Sequence, residues 1–331
     1  YNFMEKMETP QKINFTNEPK LSEHEVQSKF NERRMSLVPL VRDFISTHER
    51  FKNKEVSVAF SHKGVSSLIS IIEMDGQKVV LKIPLGVGHS NGEVQFLKAW
   101  EQAGVKVPHV IEEGILGEHS YSLMEYVDAP ILGETYNTEE CIEKGIYLEM
   151  GQTLRLMHTP EAEGYGRVVD GKAEYAEFKD MLFGEDMQKR IKYVEENKLL
   201  GDEHGSLSVA FEILIEHVDR ENKSSYCHDD FGTSNIFATH PITVFDPNPR
   251  FNNRYLDLGR TVMLRIANDG VFLEQLVEGY FEGKPYDKRV LHASILLNAC
   301  MKFNYWNQVK KSKGIKNVQE YLIQNKHLLE K

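Results

Sequence analysis

Cysteine is scarce in this chain. Cys141, Cys227 and Cys300 are the whole supply, and no two of them form a CxxC pair. An odd number without metal-ligand spacing excludes a disulfide frame and a zinc ribbon, and a reducing, cytoplasmic location is expected. Long apolar runs are missing as well. None approaches the ~18 residues of a membrane span, so no membrane partner is expected. Basic residues are outnumbered, 40 against 50 acidic ones, and the net charge is −10. That balance argues against nucleic acid as a partner and weakly favours a cationic small molecule. Internal repeats and low-complexity tracts are absent. So is any G-x-x-x-x-G-K-[ST] string, which removes the P-loop fold. The opening YNFMEKMETPQK is polar and is expected not to be a signal peptide.

What is present suffices for a large core, since 40% of the 331 residues are hydrophobic. Residues 1 to about 25 are polar and are expected to be loosely ordered. Ser28–Arg50 carries apolar positions at helical spacing, interrupted near Pro39. EVSVAF, SSLISIIEM and KVVLKI then alternate as strands, with Asp75–Gly76 as a hairpin turn between the last two. NGEVQFLKAWEQAG reads as a helix ending at Gly104, and YSLMEYV as a buried strand. Beyond Val127, Asn137 and Glu140 form a capping signal. Ile142, Ile146, Met150, Leu154 and Met157 then descend one helix face. Most of the remainder reads as helical. The expected class is α+β, bilobal, with a small N-terminal β-rich lobe and a larger helical lobe. The expected boundaries are an extension with a helix at 1–45, an N-lobe at 46–127 and a C-lobe at 128–331.

One stretch breaks the helical pattern. CHDDFGTSNIFATHPITVFDPNP, residues 227–249, packs Asp229, Asp230, Asn235 and Asp246 around two short apolar runs. NIFAT and ITVF read as a hairpin turning at His240–Pro241, which returns Asp246 to the neighbourhood of Asn235. Carboxamide and carboxylate oxygens are hard ligands suited to Mg²⁺. A separate carboxylate near an acceptor hydroxyl can take its proton. The spacing H-x-D-x₄-N, then an aspartate after a strand, is that of phosphoryl transfer. Asp230 is thus the expected base, and Asn235 and Asp246 are the expected metal ligands. Asp229 reads as a loop residue and His228 as packing. In the preceding half, Lys82 lies in an apolar strand where a lysine needs a partner. Glu93, opening the next helix, is the candidate. Ser66 and Ser67, in SHKGVSSLI, are the candidate phosphate loop, although only Gly64 supplies glycine there.

With these motifs in this order, the chain resembles the aminoglycoside phosphotransferase family of protein-kinase-like small-molecule kinases. The resemblance spans roughly residues 50–310. It rests on VVLKIP, GEVQFLKAWEQAGVKVPHVIEEG, YSLMEYVDAPIL, MGQTLRLMHTP, CHDDFGTSNIF and VFDPNPRFNNRYLDLGR. It implies a hinge at LMEYV, with Glu125 and Val127 meeting the adenine and Met124 beside it. It also implies that Asp257 braces the catalytic loop. ATP or GTP would donate, with Mg²⁺, to a hydroxyl of a small molecule. That acceptor would be an aminoglycoside-like antibiotic or another cationic or sugar compound, with choline or a fructosamine as alternatives. A monomer or homodimer is expected. Two positions depart from the family pattern: Asp229 replaces a usual glycine, and Pro247 follows Asp246. A catalytically silent nucleotide-binding regulator and a pure interaction module are the other readings. A protein kinase fits less well, because D-F-G occurs at Asp230–Gly232 inside the loop and A-P-E is absent.

Overall fold

The computed structural model describes residues 11–21, 30–87 and 92–330, with backbone alone at 202–204. The polar opening 1–10 and the start of the helix expected from Ser28 lie outside these. The chain forms two compact units. One is Tyr1–Ser90 with Pro108–Asp128, and the other is Asn91–Val107 with Ala129–Lys331.

The first unit is built on a sheet of β1 (Ile13–Phe15), β2 (Val56–Phe60), β3 (Ser67–Met74), β4 (Gln77–Pro84), β5 (Val110–Leu116) and β6 (His119–Glu125). The strand order is β1-β2-β3-β4-β6-β5. Alternation explains β2, whose Val56, Val58 and Phe60 face inward. Asp75 and Gly76 both adopt positive φ, 53° and 74°, as a two-residue hairpin turn demands. Helices α1 (Asn31–Ser36) and α2 (Val38–Thr47) precede β2, and Pro39 sits in the first turn of α2, where its missing N–H costs nothing. Val41, Phe44 and Ile45 of α2 join Leu68, Ile72, Leu81, Ile83 and Leu123 in one core. Each such side chain contributes about 1.5–3 kcal/mol when fully buried.

One expectation fails here, and one strand is unforeseen. Residues 13–15 are not loose but pair in parallel with β2. The Thr16 amide donates to Val58 O at 2.9 Å, and the Val56 amide to Lys12 O at 3.1 Å. Asn17 clamps the same edge, accepting from the Phe60 amide and donating to its carbonyl. Strand β5 went unread because Glu112, Glu113 and Gly114 break its apolar pattern, and a bulge follows Val110.

The second unit contains α3 (Glu93–Gln102), whose aromatic face packs within that unit. Phe96 stacks on Phe251 at 5.5 Å, and the Trp100 indole N–H donates to Met157 O at 3.0 Å. Next come α4 (Leu132–Thr135), α5 (Thr138–Glu143) and α6 (Ile146–Met157). The capping box is present: Asn137 Oδ1 accepts from the Glu140 amide, and the Glu140 carboxylate from the Asn137 amide, both at 2.9 Å. The long helix face is not, because the chain breaks at Gly145, whose φ is 67°. Ile142 is therefore left 38% exposed, while Ile146, Met150, Leu154 and Met157 are buried.

The rest is less helical than its sequence suggests. Strands β7 (Glu161–Ala162), β8 (Tyr165–Val169), β9 (Lys172–Tyr175), β10 (Ser224–Cys227) and β13 (Arg250–Asn252) form a second sheet, in the order β7-β10-β13-β8-β9. A separate pair, β11 (Ile236–Phe237) and β12 (Thr243–Val244), is the hairpin expected at 235–245. Helices α7 (Phe178–Phe183), α8 (Glu185–Glu196), α9 (Leu207–Glu221), α10 (Arg254–Asp269), α11 (Glu274–Phe281), α12 (Lys288–Gln308) and α13 (Ser312–Gln324) complete the unit. Helices α6 and α11 cross at Gly151 and Gly279. A Cβ on either glycine would collide with a carbonyl of the other helix, that of Leu276 or Leu148.

Candidate active site

Strand β10 delivers the chain into the loop 228–232, and one carboxylate from α10 holds that loop. Asp257 Oδ2 accepts the His228 amide at 2.7 Å, and Oδ1 accepts the Asp229 amide at 2.7 Å. His158 Nε2 lies 3.0 Å from Asp257 Oδ2, and its Nδ1 lies 2.7 Å from the Tyr280 hydroxyl. Two buried amides that no strand partner serves are thereby satisfied. Asp257, His158 and Cys227 together have the composition of a metal site. Their chemistry is that of a brace. Both Asp257 oxygens are committed to amides. Burial, then the nearby Asp257 and Asp229 charges, keep the Cys227 thiol protonated.

Asp229 takes a left-handed conformation, φ 55°, which aspartate tolerates better than most residues. Its carboxylate is buried and fully engaged. Arg250 Nε lies at 2.8 Å, Asn248 Nδ2 at 2.7 Å, and Arg260 Nη2 at 3.3 Å. Burial alone would raise its pKa. The guanidinium charges of Arg260 and Arg250 outweigh that and carry it down to about 2. The usual glycine is thus replaced by a residue that keeps the turn and gains two ion pairs.

Asp230 comes next and points to a wetter place, with 42% of its side chain exposed. Its backbone oxygen accepts the Gly232 amide at 2.9 Å, which starts the short turn Thr233–Asn235. That turn folds Asn235 back, and its Nδ2 donates to Asp230 O at 2.8 Å and to Asp230 Oδ2 at 3.2 Å. The hairpin then returns. The Phe245 amide donates to Asn235 O at 3.1 Å, and His228 Nε2 lies 3.1 Å from Phe245 O. Asp246 follows at once, with φ 53°. The fold therefore brings Asp230 and Asn235 into direct contact and sets Asp246 one residue from Asn235's backbone partner. Asn235 spends its N–H₂ on Asp230; its carboxamide oxygen and the Asp246 carboxylate are both hard oxygen donors. This set fits Mg²⁺. His228 is buried and stacked on Trp100 at 5.7 Å.

The remaining candidates lie in the first unit, except Glu93, a buried residue at the start of α3. Lys82 stands mid-strand between Ile69 of β3 and Ser122 of β6, and is only 6% exposed. Ser66 is exposed, and its carbonyl accepts the Leu85 amide at 2.9 Å; Ser67 is buried at the start of β3. Met124 is buried near the end of β6, and Val127 lies just past it. The Glu125 amide is spent on His109 O at 2.9 Å.

One residue escaped the sequence reading. Arg34, in α1, is fully buried, and its guanidinium serves the loop 61–67. It donates to Ser61 O at 2.6 Å, to Gly64 O at 2.5 Å and to Ser67 O, while its Nε donates to Pro19 O at 3.0 Å. Turning these carbonyls toward Arg34 fixes the backbone of the candidate phosphate loop. Nothing in NERRMS distinguishes this arginine from its neighbour.

A family model described as the phosphotransferase enzyme family matches residues 61–291. No curated protein is significantly similar in sequence. Among solved structures, aminoglycoside phosphotransferase APH(4)-Ia is similar with a TM-score of 0.57 at 13% identity, covering 85% of this chain and 98% of that one. A protein of Haemophilus somnus 129PT described as a fructosamine-3-kinase has a TM-score of 0.54 at 14% identity, over 84% and 96% of the two chains. Spectinomycin phosphotransferase APH(9)-Ia, solved with ADP and spectinomycin, has a TM-score of 0.51 at 12% identity, over 84% and 93%. At these identities the likeness establishes the shared protein-kinase-like fold.

Proposed function

The chain belongs to the phosphotransferase enzyme family and is a phosphotransferase acting on a hydroxyl acceptor; we propose that it moves the γ-phosphoryl of ATP, or of GTP, to a small molecule. The observation that carries this reading is the pairing of Asp230 with Asn235 on a loop braced by Asp257. The Asp230 carboxylate orients the acceptor hydroxyl and accepts its proton as the oxygen attacks the γ-phosphorus. The β–γ bridging bond breaks, and the nucleoside diphosphate leaves. Asn235 and Asp246 would hold Mg²⁺, which would neutralise charge on the phosphates. Lys82 contacts the phosphates, and the Ser66–Ser67 loop covers them. Met124, Glu125 and Val127 receive the base. The ADP of the spectinomycin enzyme supports a nucleotide donor by analogy of fold. Net charge alone favours a cationic acceptor such as an aminoglycoside, and choline, a fructosamine and a neutral sugar are the alternatives.

The silent-regulator reading rests on Asp229 and on the glycine-poor loop at 61–69. The loop at 228–232 is supported by Asp229 rather than distorted, which speaks against it. The test has two parts. Mg·ATP raises the melting temperature of the protein, and an ADP-coupled screen over aminoglycosides, sugars, sugar phosphates and amino alcohols finds an acceptor. Nucleotide binding without turnover of any acceptor would restore the regulator. No nucleotide binding at all would end both readings.

A further inference from the structure

Helix α12 ends beside the loop that carries Asp230, and its last turns present cations to it. Lys302 Nζ lies 3.5 Å from Asp230 Oδ1. Trp306, four residues on, shares that helix face and is buried. The chain then turns back, with the Lys311 amide donating to Trp306 O at 2.8 Å. The Lys311 ammonium sits 4.9 Å over the Trp306 ring, and its stem packs where a Cβ on Gly314 would be. Two neighbouring acids already have partners. Asp229 is taken by Arg250 and Arg260, and Arg265 Nη1 lies 3.7 Å from Asp269. Asp230 thus contacts one ammonium group and lies within the electrostatic reach of a second.

Both amines are also held below their ordinary range, burial being the larger cause. Burial and then Arg260 hold the Lys302 amine below its ordinary range, although Asp230 and Asp229 pull it up. Burial, then Lys302 and Arg265, do the same to Lys311. A polycation docking here would add repulsion at short range, whereas an anion would relieve it. The acidic net charge of the whole chain acts from farther away, and salt screens it beyond roughly 8–10 Å. The local sign therefore governs the acceptor.

We propose that Lys302 and Lys311 form an anion subsite beside Asp230, so that the acceptor carries a carboxylate or phosphate close to its reacting hydroxyl. This rests on the phosphotransferase reading, because it takes Asp230 as the point where that hydroxyl arrives. It reverses the cationic acceptor suggested by net charge.

The experiment is a calorimetric titration with inorganic phosphate of the full chain loaded with Mg·AMP-PNP, which fills the donor site. Saturable binding is expected in the wild type. It should weaken about tenfold or more in Lys302→Ala and in Lys311→Ala, and survive within about threefold in Lys302→Arg. In the ADP-coupled assay, any acceptor found should be used better as its acid or phosphate ester than as its amine, and the preference should collapse in both alanine variants. Three results would each overturn the proposal: no saturable phosphate binding to the wild type, binding that Mg·AMP-PNP abolishes because the lysines serve the donor, or binding indifferent to both replacements. The nucleotide-induced rise in melting temperature is read separately on every variant. It confirms folding, and its absence in the wild type would count against the phosphotransferase reading itself.

Discussion

Asn235 grips Asp230 twice, donating its carboxamide N–H₂ to the aspartate's backbone oxygen at 2.8 Å and to its carboxylate at 3.2 Å. The carboxylate is held by its neighbour yet open to solvent on another side. That combination suits a group that must meet a substrate in one fixed orientation. Asp230→Asn keeps the shape and an acceptor for Asn235 but loses the proton acceptor. Turnover should fall about 10²–10⁴-fold, with the nucleotide-induced melting shift retained. An ADP-release assay beside a thermal-shift titration measures both. Unimpaired turnover would refute the assigned base.

Asp257 supports the loop without touching a reactant. Asp257→Ala leaves two buried amides and His158 without their shared acceptor. A loss of about 3 kcal/mol is expected, since each hydrogen bond to a buried charge contributes roughly 1.5–3 and neighbouring losses do not add. Urea unfolding gives the number. A change under about 0.5 kcal/mol would mean that the loop is held by other means.

Arg34 predicts a division between kinetic constants. Arg34→Met removes the guanidinium from the carbonyls of Ser61, Gly64 and Ser67. The loop loosens, so KM for the nucleotide should rise about tenfold or more while kcat changes less. Arg34→Lys should recover part of that affinity. Equal effects on kcat and KM, or no recovery, would show that Arg34 matters only for folding.

Two buried groups set separate pH windows for stability. Asp229 has its pKa lowered from 3.8 to about 2. The unfolded chain therefore takes up this proton first as pH falls. The stabilisation is complete above pH 3.8 and drains between there and about 2. It amounts to about 2 kcal/mol. Asp229→Gly suits the backbone but strands two guanidinium groups, that of Arg260 buried and that of Arg250 half-buried. It should destabilise the fold at neutral pH and erase that acid slope in urea melts.

His292 works in a higher window. Burial, and to a smaller extent the charge on His327, lower its pKa from 6.5 to about 4, and neither ring nitrogen has a hydrogen-bond partner. The neutral ring is the native form. Stability is complete above pH 6.5 and falls as pH drops toward 4, by up to about 3 kcal/mol. His292→Phe should flatten the stability curve between pH 6.5 and 4. An unchanged curve would assign that slope to another group.

Local chemistry was what could be read in advance. The Asp75–Gly76 turn and the Asn137–Glu140 capping box each depend on a few adjacent residues, and both formed. The 235–245 hairpin was legible for the same reason. The second sheet was not, because strands of two to five residues carry too little pattern, and their pairing joins segments such as Arg167 and Arg250. The helix face running from Ile142 failed at a single glycine. Arg34 and Lys302 look like ordinary surface cations in sequence. Their partners are tens of residues away, and only the fold reveals that one is buried and that the other faces Asp230. Asp229 was visible as a departure from a family pattern, but its meaning lay with Arg250 and Arg260.

That trio constrains how this lineage can drift. Losing the aspartate strands two cations, and losing either arginine weakens the hold on an acid in a strained turn. Each single step is penalised, so the three positions should change in concert or stay as they are. A return to glycine at 229 would first require neutral residues at 250 and 260.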